Sequence, residues 1–285
     1  MASTSLPSGD LTPVPVHIIA PAQGWVGLRL REIWEYRELL YFLVWREVSI
    51  RYKQTVLGMA WAVIQPVFAM VVFTIFFGWL GRMPSDGQPY PVFTYAALLP
   101  WTLFAYALTE ASNSVVANQR VITKVYFPRL ILPMAAVCVG LVDFAIAFGV
   151  LLLLLPFYGV QPGWAALAVP FFTAMAVLAA FSVGVWLSAL NVRYRDIRHT
   201  LPFLVQIWLF ATPVVYPSSL VPGPWRALYA INPMVGVVDG FRWALLGAGS
   251  IPILTVAVSS VVLAAVLVSG LFYFRRTERT FADVI

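Results

Sequence analysis

Residues 144–192, FAIAFGVLLLLLPFYGVQPGWAALAVPFFTAMAVLAAFSVGVWLSALNV, contain no Asp, Glu, Lys or Arg. A bilayer core is crossed by about 20 apolar residues in a helix, so this run is long enough for two crossings. It also offers no charged face of the kind a soluble domain turns to water. Its turn formers, Pro156 and the Gly-Val-Gln-Pro-Gly of 159–163, divide it into a hairpin. The two arms, extended to the nearest breaks, predict spans at 133–157 and 164–190.

The same rule applied outward finds charge-free runs at 54–81, 87–109, 200–225 and 243–274. They predict four more spans, at 58–80, 91–116, 201–220 and 251–274. Between the fifth and sixth lies 221–250, rich in Pro and Gly and carrying Arg226, Asp239 and Arg242. That piece is too short and too charged for two further crossings, and predicts short re-entrant or interfacial helices. The expected fold is an all-α polytopic membrane protein in three parts. Residues 1–28 form a proline-rich cytosolic tail without Lys or Arg, 29–55 an amphipathic interface helix, and 56–285 a six-span transmembrane domain. Of 285 residues 61% are apolar and 11% charged, with mean hydropathy +0.86; an ordinary soluble chain is about 25% charged. No large water-soluble catalytic domain fits in what remains.

The net charge of +6 is a matter of orientation. Fifteen of the 18 Lys and Arg flank one set of span ends, and only Arg82, Arg226 and Arg242 fall on the other side. Positive charge is retained in the cytosol, so both termini are expected there. A nucleic-acid partner loses its support once the basic residues are accounted for in this way.

Several chemistries are closed off. One cysteine, Cys138, and two histidines, His17 and His199, make a poor metal shell, and no metal site is expected. The two lysines sit in Tyr52-Lys53-Gln54 and Thr123-Lys124-Val125, outside any phosphate-cradling glycine-rich loop. An embedded enzyme would need acids, histidines or a metal gathered near one interface, which the spacing does not provide. No internal repeat supports a secondary carrier.

Three segments carry chemistry. Residues 27–48 mix Leu30, Ile33, Trp34, Leu40 and Val44 with Arg31, Glu32, Glu35, Arg37 and Glu38, the composition of a helix lying in the interface. Residues 118–133, NQRVITKVYFPRLILP, join charge to Val125, Tyr126 and Phe127; they suit either a headgroup-anchored loop or a handle for a soluble partner. Glu110 and Asp143 lie within the second and third spans, where an ionised carboxylate costs several kcal/mol unless paired or hydrated. Each is a candidate for a transport path or a carboxylate satisfied by helix-end amides, by Ser112, Asn113 or a neighbouring helix. Trp61 and Trp79 stand about 27 Å apart along a helix and match the two edges of the hydrocarbon layer. Phe68, Phe73, Phe76, Phe203, Trp208 and Phe210 remain candidates for a transport path; packing or lipid contact is the alternative.

The run 31–66, REIWEYRELLYFLVWREVSIRYKQTVLGMAWAVIQP, followed by VITKVYFPRLILP at 121–133, NVRYRDIRHTLP at 191–202 and YAINPMVGVVDGFRWALLG at 229–247, resembles the membrane subunit of the ABC-2 type polysaccharide exporters. The resemblance extends from about residue 29 to the C-terminus. It implies a permease in the bacterial inner membrane that moves lipid-linked O-antigen, capsular glycan or teichoic acid outward, with an ABC-2 exporter of a drug or another lipid as the alternative. It further implies a homodimer among membrane lipids, served by a separate ATP-binding cassette subunit that holds the ATP and magnesium; no cofactor is expected in this chain. Residues 118–129 would be the coupling helix, with Asn118, Arg120, Lys124, Val125, Tyr126, Phe127 and Arg129 facing the partner. Residues 221–249 would form the outer gate, with Trp225, Tyr229, Asp239, Phe241 and Arg242.

Overall fold

In hydrocarbon a backbone amide has only its own chain to bond, so charge-free runs fold as helices. The computed structural model describes residues 30–53, 58, 60–248 and 253–281, and the expected tail at 1–28 lies outside them. Every regular element among these residues is helical. In chain order they are α1 (Leu30–Glu35), α2 (Arg37–Lys53), α3 (Ala60–Phe73), α4 (Tyr90–Ala117), the single turn α5 (Gln119–Ile122), α6 (Ile131–Phe157), α7 (Val169–Arg193), α8 (Ile197–Phe210), α9 (Gly223–Tyr229), α10 (Pro233–Leu246) and α11 (Ile253–Thr277). Wider π turns over Thr74–Leu80 prolong α3, and a 3-10 turn, Trp164–Ala168, precedes α7.

Among the described residues five segments are long and apolar enough to cross a membrane: Ala60–Leu80, Tyr90–Ala117, Ile131–Phe157, Trp164–Arg193 and Ile253–Thr277. The span expected at 201–220 takes another form. Its helix, α8, is 14 residues long, which gives about 21 Å against a hydrocarbon core of about 30 Å. Beyond Phe210 the chain turns irregularly as far as Ser218–Leu220, where Pro213 and Pro217 withhold the amides that would continue the helix. The segment expected as one interface helix at 29–55 is likewise two helices, α1 and α2, parted at Tyr36.

Helix α4 is the hub of the bundle, packed against α3, α6, α7, α8 and α10, with 78% of its most apolar stretch buried. Small residues allow the approach, because helices in lipid associate through close van der Waals packing rather than by escaping water. A Cβ on Gly184 of α7 would lie 2.7 Å from the Ala111 Cβ of α4, and one on Gly270 of α11 would lie 2.8 Å from the Ser182 carbonyl of α7. By contrast only 11% of the corresponding stretch of α3 is covered, so Trp61, Phe68, Phe76 and Trp79 stand exposed.

Two cores result. The larger one fills the bundle between α4, α6, α7 and α10. The smaller one lies at the basic end and gathers Leu43 of α2, Val115 of α4, Ile122, Phe127, Leu130, Ile131, Val185, Phe274 and Phe281. It binds the ends of α2, α4, α6, α7 and α11 into one cap beneath the bundle. Helix α2 turns Leu43 toward that cap and leaves Tyr41, Phe42 and Trp45 uncovered. Its apolar residues therefore serve two surfaces, one against protein and one exposed, rather than a single amphipathic stripe.

Candidate functional site

Four places received sequence-predicted residues, and the structure treats them differently. The first is the basic-end loop between α4 and α6. Asn118 ends α4, its amide donating to the Ser114 carbonyl at 2.9 Å and its Oδ1 accepting from Arg46 of α2 at 3.1 Å. The α5 turn follows, with Arg120 exposed. Val125 and Tyr126 are each 58% exposed, and Lys124 is exposed beside them. Phe127 points the other way and is buried in the smaller core. The Tyr126 hydroxyl donates to Glu32 of α1 at 3.2 Å. Arg129 closes the loop through Glu278, whose carboxylate accepts its backbone amide at 3.1 Å. A cavity of about 240 Å³ lies under this loop, lined by Thr123, Lys124, Val125, Tyr126, Phe127 and Arg129. The loop is thus an exposed apolar tip on a fixed base. Such a surface suits a partner that buries Val125 and Tyr126 while Lys124 contributes charge.

The second place is the pair of carboxylates within the spans. Asp143 has a base, supplied by α2 ahead of the first span: Arg51 approaches it at 2.8 Å, and the Tyr52 hydroxyl donates to its other oxygen. The Arg51 guanidinium also lies 4.3 Å from the centre of the Tyr106 ring of α4. Burial and then the Asp143 hydrogen bond push the Tyr52 hydroxyl above its ordinary value, so it stays a donor. Glu110 stands one helical turn along α4 from Tyr106, exposed to the same hollow. That hollow, about 310 Å³, is lined by Arg51, Gln65, Trp101, Tyr106, Glu110 and Asp143. It is a largely apolar hollow between α2, α3, α4 and α6 into which Arg51, Glu110 and Asp143 bring charge.

The aromatic candidates divide. Phe68 and Phe76 on α3, with Phe203 and Phe210 on α8, are at least half exposed. Phe73 packs against the larger core and edge-on to Phe77. Trp208 is structural: its ring meets Phe104 edge-on at 5.0 Å and its indole N–H donates to Asn232 at 3.0 Å.

The last place is the segment between α8 and α11. Asn232 caps α10, accepting from the Met234 amide at 3.1 Å, and its amide group donates back to Ala211 and Thr212. Gly247, at φ 63°, ends α10 in the left-handed conformation that glycine adopts without strain. Trp225 of α9 is exposed, and Tyr229 shares a 2.8 Å contact between hydroxyls with Tyr216. Phe241 is fully buried, edge-on to Phe144. Arg242, 3% exposed, lies over the Phe93 ring at 3.5 Å. It donates to the carbonyls of Phe93 at 3.2 Å, Pro213 at 2.5 Å, Val214 at 2.7 Å and Tyr216 at 3.2 Å. Those carbonyls belong largely to the broken stretch after α8, so one guanidinium supplies the donors that a continuous helix would have provided. Its burial and bonds to carbonyls give Arg242 a structural place that the count of charges beside the spans does not register. A cavity of about 290 Å³ opens here, lined by Asp86, Ser219, Arg226, Tyr229, Asp239 and Arg242. Burial pushes the Asp239 carboxyl up to about 6, opposed by the Ser218 hydroxyl and the Arg242 charge.

Sequence reasoning missed Arg51, Tyr52 and Glu278 as partners of Asp143 and Arg129. The signal available was only an arginine and a tyrosine at the end of an amphipathic stretch.

The sequence of the chain is similar to those of known proteins. Residues 38–246 match the family model described as ABC-2 type transporter. The O-antigen export system permease protein RfbA of Myxococcus xanthus is 31% identical over 261 residues, covering 90% of this chain and 98% of that protein. A permease of the same name from Klebsiella pneumoniae is 24% identical over 87% of the chain and 95% of its own length. The polysialic acid transport protein KpsM of Escherichia coli is 20% identical over 70% of the chain and 78% of its own. The family match takes in α2 to α10, from the helix that supplies Arg51 to the one that supplies Arg242; the chain belongs to the ABC-2 type transporter family.

Proposed function

We propose that the chain is the permease subunit of an exporter that moves lipid-linked polysaccharide outward across a bacterial inner membrane. The observation that carries this reading is the end-to-end likeness to a permease named for O-antigen export, 31% identical over 98% of its length. Energy comes from a separate ATP-binding cassette subunit that holds ATP and magnesium and docks on Val125 and Tyr126; their exposure on an otherwise anchored loop supports this. Two copies form the conduit, and the uncovered face of α3 supports a second copy beside it. The sixth crossing is made by α8 together with the broken stretch that Arg242 holds, which leaves both termini in the cytosol, and α9 and α10 form the outer gate. Phe68, Phe76, Phe203 and Phe210 then face the conduit, since a glycan needs apolar ring faces to stack on along a continuous route. An elongated polar polymer cannot shed all its water at once without a large desolvation cost.

Deletion of the gene should leave lipid-linked glycan inside the cell, and the intact chain should restore it to the surface. Co-expressed Val125→Asp or Tyr126→Asp should lose the ATP-binding subunit on purification. Unchanged surface glycan after deletion would remove the cargo assignment, and full recovery of the subunit by both variants would remove the docking site.

A further inference from the structure

The coupling reading places force on the loop at 118–129, and the far end of that loop is tied to the C-terminus. Helix α11 ends at Thr277, and the chain makes a 3-10 turn over Glu278–Thr280 before Phe281 inserts, fully buried, edge-on to Phe274 at 5.3 Å. Glu278 sits at the centre. One carboxylate oxygen accepts the Arg129 amide at 3.1 Å, and the other accepts from Arg275 at 3.0 Å. The Glu278 carbonyl accepts from the Arg129 guanidinium, which also lies 5.7 Å from the centre of the Phe281 ring. Arg275 is buried, so Glu278 neutralises one buried cation while bonding two groups of the loop.

The opposite end of α11 reaches the outer segment. Ser259 is fully buried and donates to the Ala230 carbonyl, between α9 and α10, at 2.9 Å. A Cβ on Gly236 of α10 would meet the Ser259 hydroxyl at 2.7 Å, so the two helices touch without slack. From Ser259 to Thr277 the helix measures about 27 Å. A rigid rod therefore joins the loop's base to the outer hairpin.

We infer that Glu278 is a positioning residue for transport: with Arg129 and Phe281 it clamps the coupling loop to α11, so that movement of the loop on ATP binding displaces α11 rather than the loop alone. The inference rests on the coupling role of 118–129. It concerns transmission, not docking, because the clamp lies on the loop's buried base and the proposed docking residues lie on its tip.

The experiment uses the chain co-expressed with its ATP-binding subunit, and measures recovery of that subunit, ATP hydrolysis, and surface glycan exported per ATP hydrolysed. Glu278→Ala should retain the partner and its hydrolysis while export per ATP falls about tenfold, the scale of one charge-assisted hydrogen bond, and Arg129→Ala should lower export per ATP by a similar factor. The double variant should fall further than either single one, because Arg129→Ala removes the bond to the Glu278 carbonyl and Glu278→Ala the acceptor of the Arg129 amide. Arg129→Lys, which keeps a donor for the Glu278 carbonyl, should recover most of the loss. Glu278→Gln keeps an acceptor for the Arg129 amide but loses the charge facing Arg275; being nearly isosteric it tests the clamp if the alanine variants fail to accumulate, with an expected fall of about threefold. Unchanged export per ATP in a folded Glu278→Gln would overturn the clamp, as would loss of the partner in step with export, which would make these docking residues. A wild-type chain that recovers no ATP-binding subunit would instead overturn the coupling reading beneath it.

Discussion

The Arg51 guanidinium meets the Asp143 carboxylate at 2.8 Å, joining the helix ahead of the first span to the third span across 92 positions of sequence. Tyr52 holds the same carboxylate, so Asp143 accepts from two consecutive side chains of α2. A carboxylate with these partners is a bolt between α2 and α6.

Removing one member of this pair should be worse than removing both. Asp143→Ala leaves the Arg51 charge half-buried against Tyr106, and should destabilise the purified chain by about 2 kcal/mol. Arg51→Met combined with Asp143→Leu fills the same space without charge and should recover most of that loss. Thermal unfolding in one detergent checks the order of stabilities, and an additive double variant would count against the bolt.

Arg242 should tolerate no replacement. Alanine would orphan the carbonyls of Phe93, Pro213, Val214 and Tyr216, at a cost of about 3–5 kcal/mol. Lysine keeps the charge but cannot fork toward several carbonyls, so Arg242→Lys should accumulate little better than Arg242→Ala. Membrane-fraction abundance by immunoblot decides this, with Arg226→Ala as a control expected to accumulate normally.

Asp239 makes stability depend on pH. Its carboxyl is held up at about 6 against an ordinary 3.8, chiefly by burial. The fold thus favours the neutral acid: the stabilisation is complete below the ordinary value and is lost as pH rises through about 6. Asp239→Asn should melt close to wild type at about pH 4 and roughly 3 °C or more above it at about pH 8. A gap that shrinks with rising pH would show that the charged form is the one favoured.

Orientation is open to direct labelling. In a Cys138→Ser background, cysteine at Ser219 should react with an impermeant thiol reagent added outside intact cells, and cysteine at Thr123 should react only after permeabilisation. Both native side chains are exposed, so access is not limited by packing. The reverse pattern would invert the orientation.

Charge spacing made most of the bundle legible. Five of the six expected spans coincide with long helices because the cost of burying charge in lipid is written residue by residue. The fifth was not legible, since the irregular backbone that Pro213 and Pro217 force beyond Phe210 is held by an arginine 32 positions after that residue, and composition does not record that pairing. The same holds at the site. The apolar tip of the basic-end loop could be picked out from Val125, Tyr126 and Phe127, although only the structure separates the two exposed side chains from the buried third. Asp143 stood out as an acid in a span, while its partners Arg51 and Tyr52 lie in α2, ahead of the first span, where nothing local marks them. Trp208 carried the same aromatic signal as Phe203 and Phe210, and its bond to Asn232 makes it a packing residue instead.

The four carbonyls gathered by Arg242 also bear on how the chain enters the membrane during synthesis. Helix α8 and the broken stretch behind it leave the ribosome well before residue 242, and until that guanidinium arrives the carbonyls of Pro213, Val214 and Tyr216 lack the donor they have in the finished protein. Bare carbonyls released into hydrocarbon cost several kcal/mol, so the favourable course is for the insertion machinery to retain this segment until α10 has been made, and to release the two together. Chains cut short between 220 and 242 should then be caught by quality-control proteases, whereas chains ending just after 248 should lodge in the bilayer. Biogenesis of this transporter is in that sense paced by a single codon.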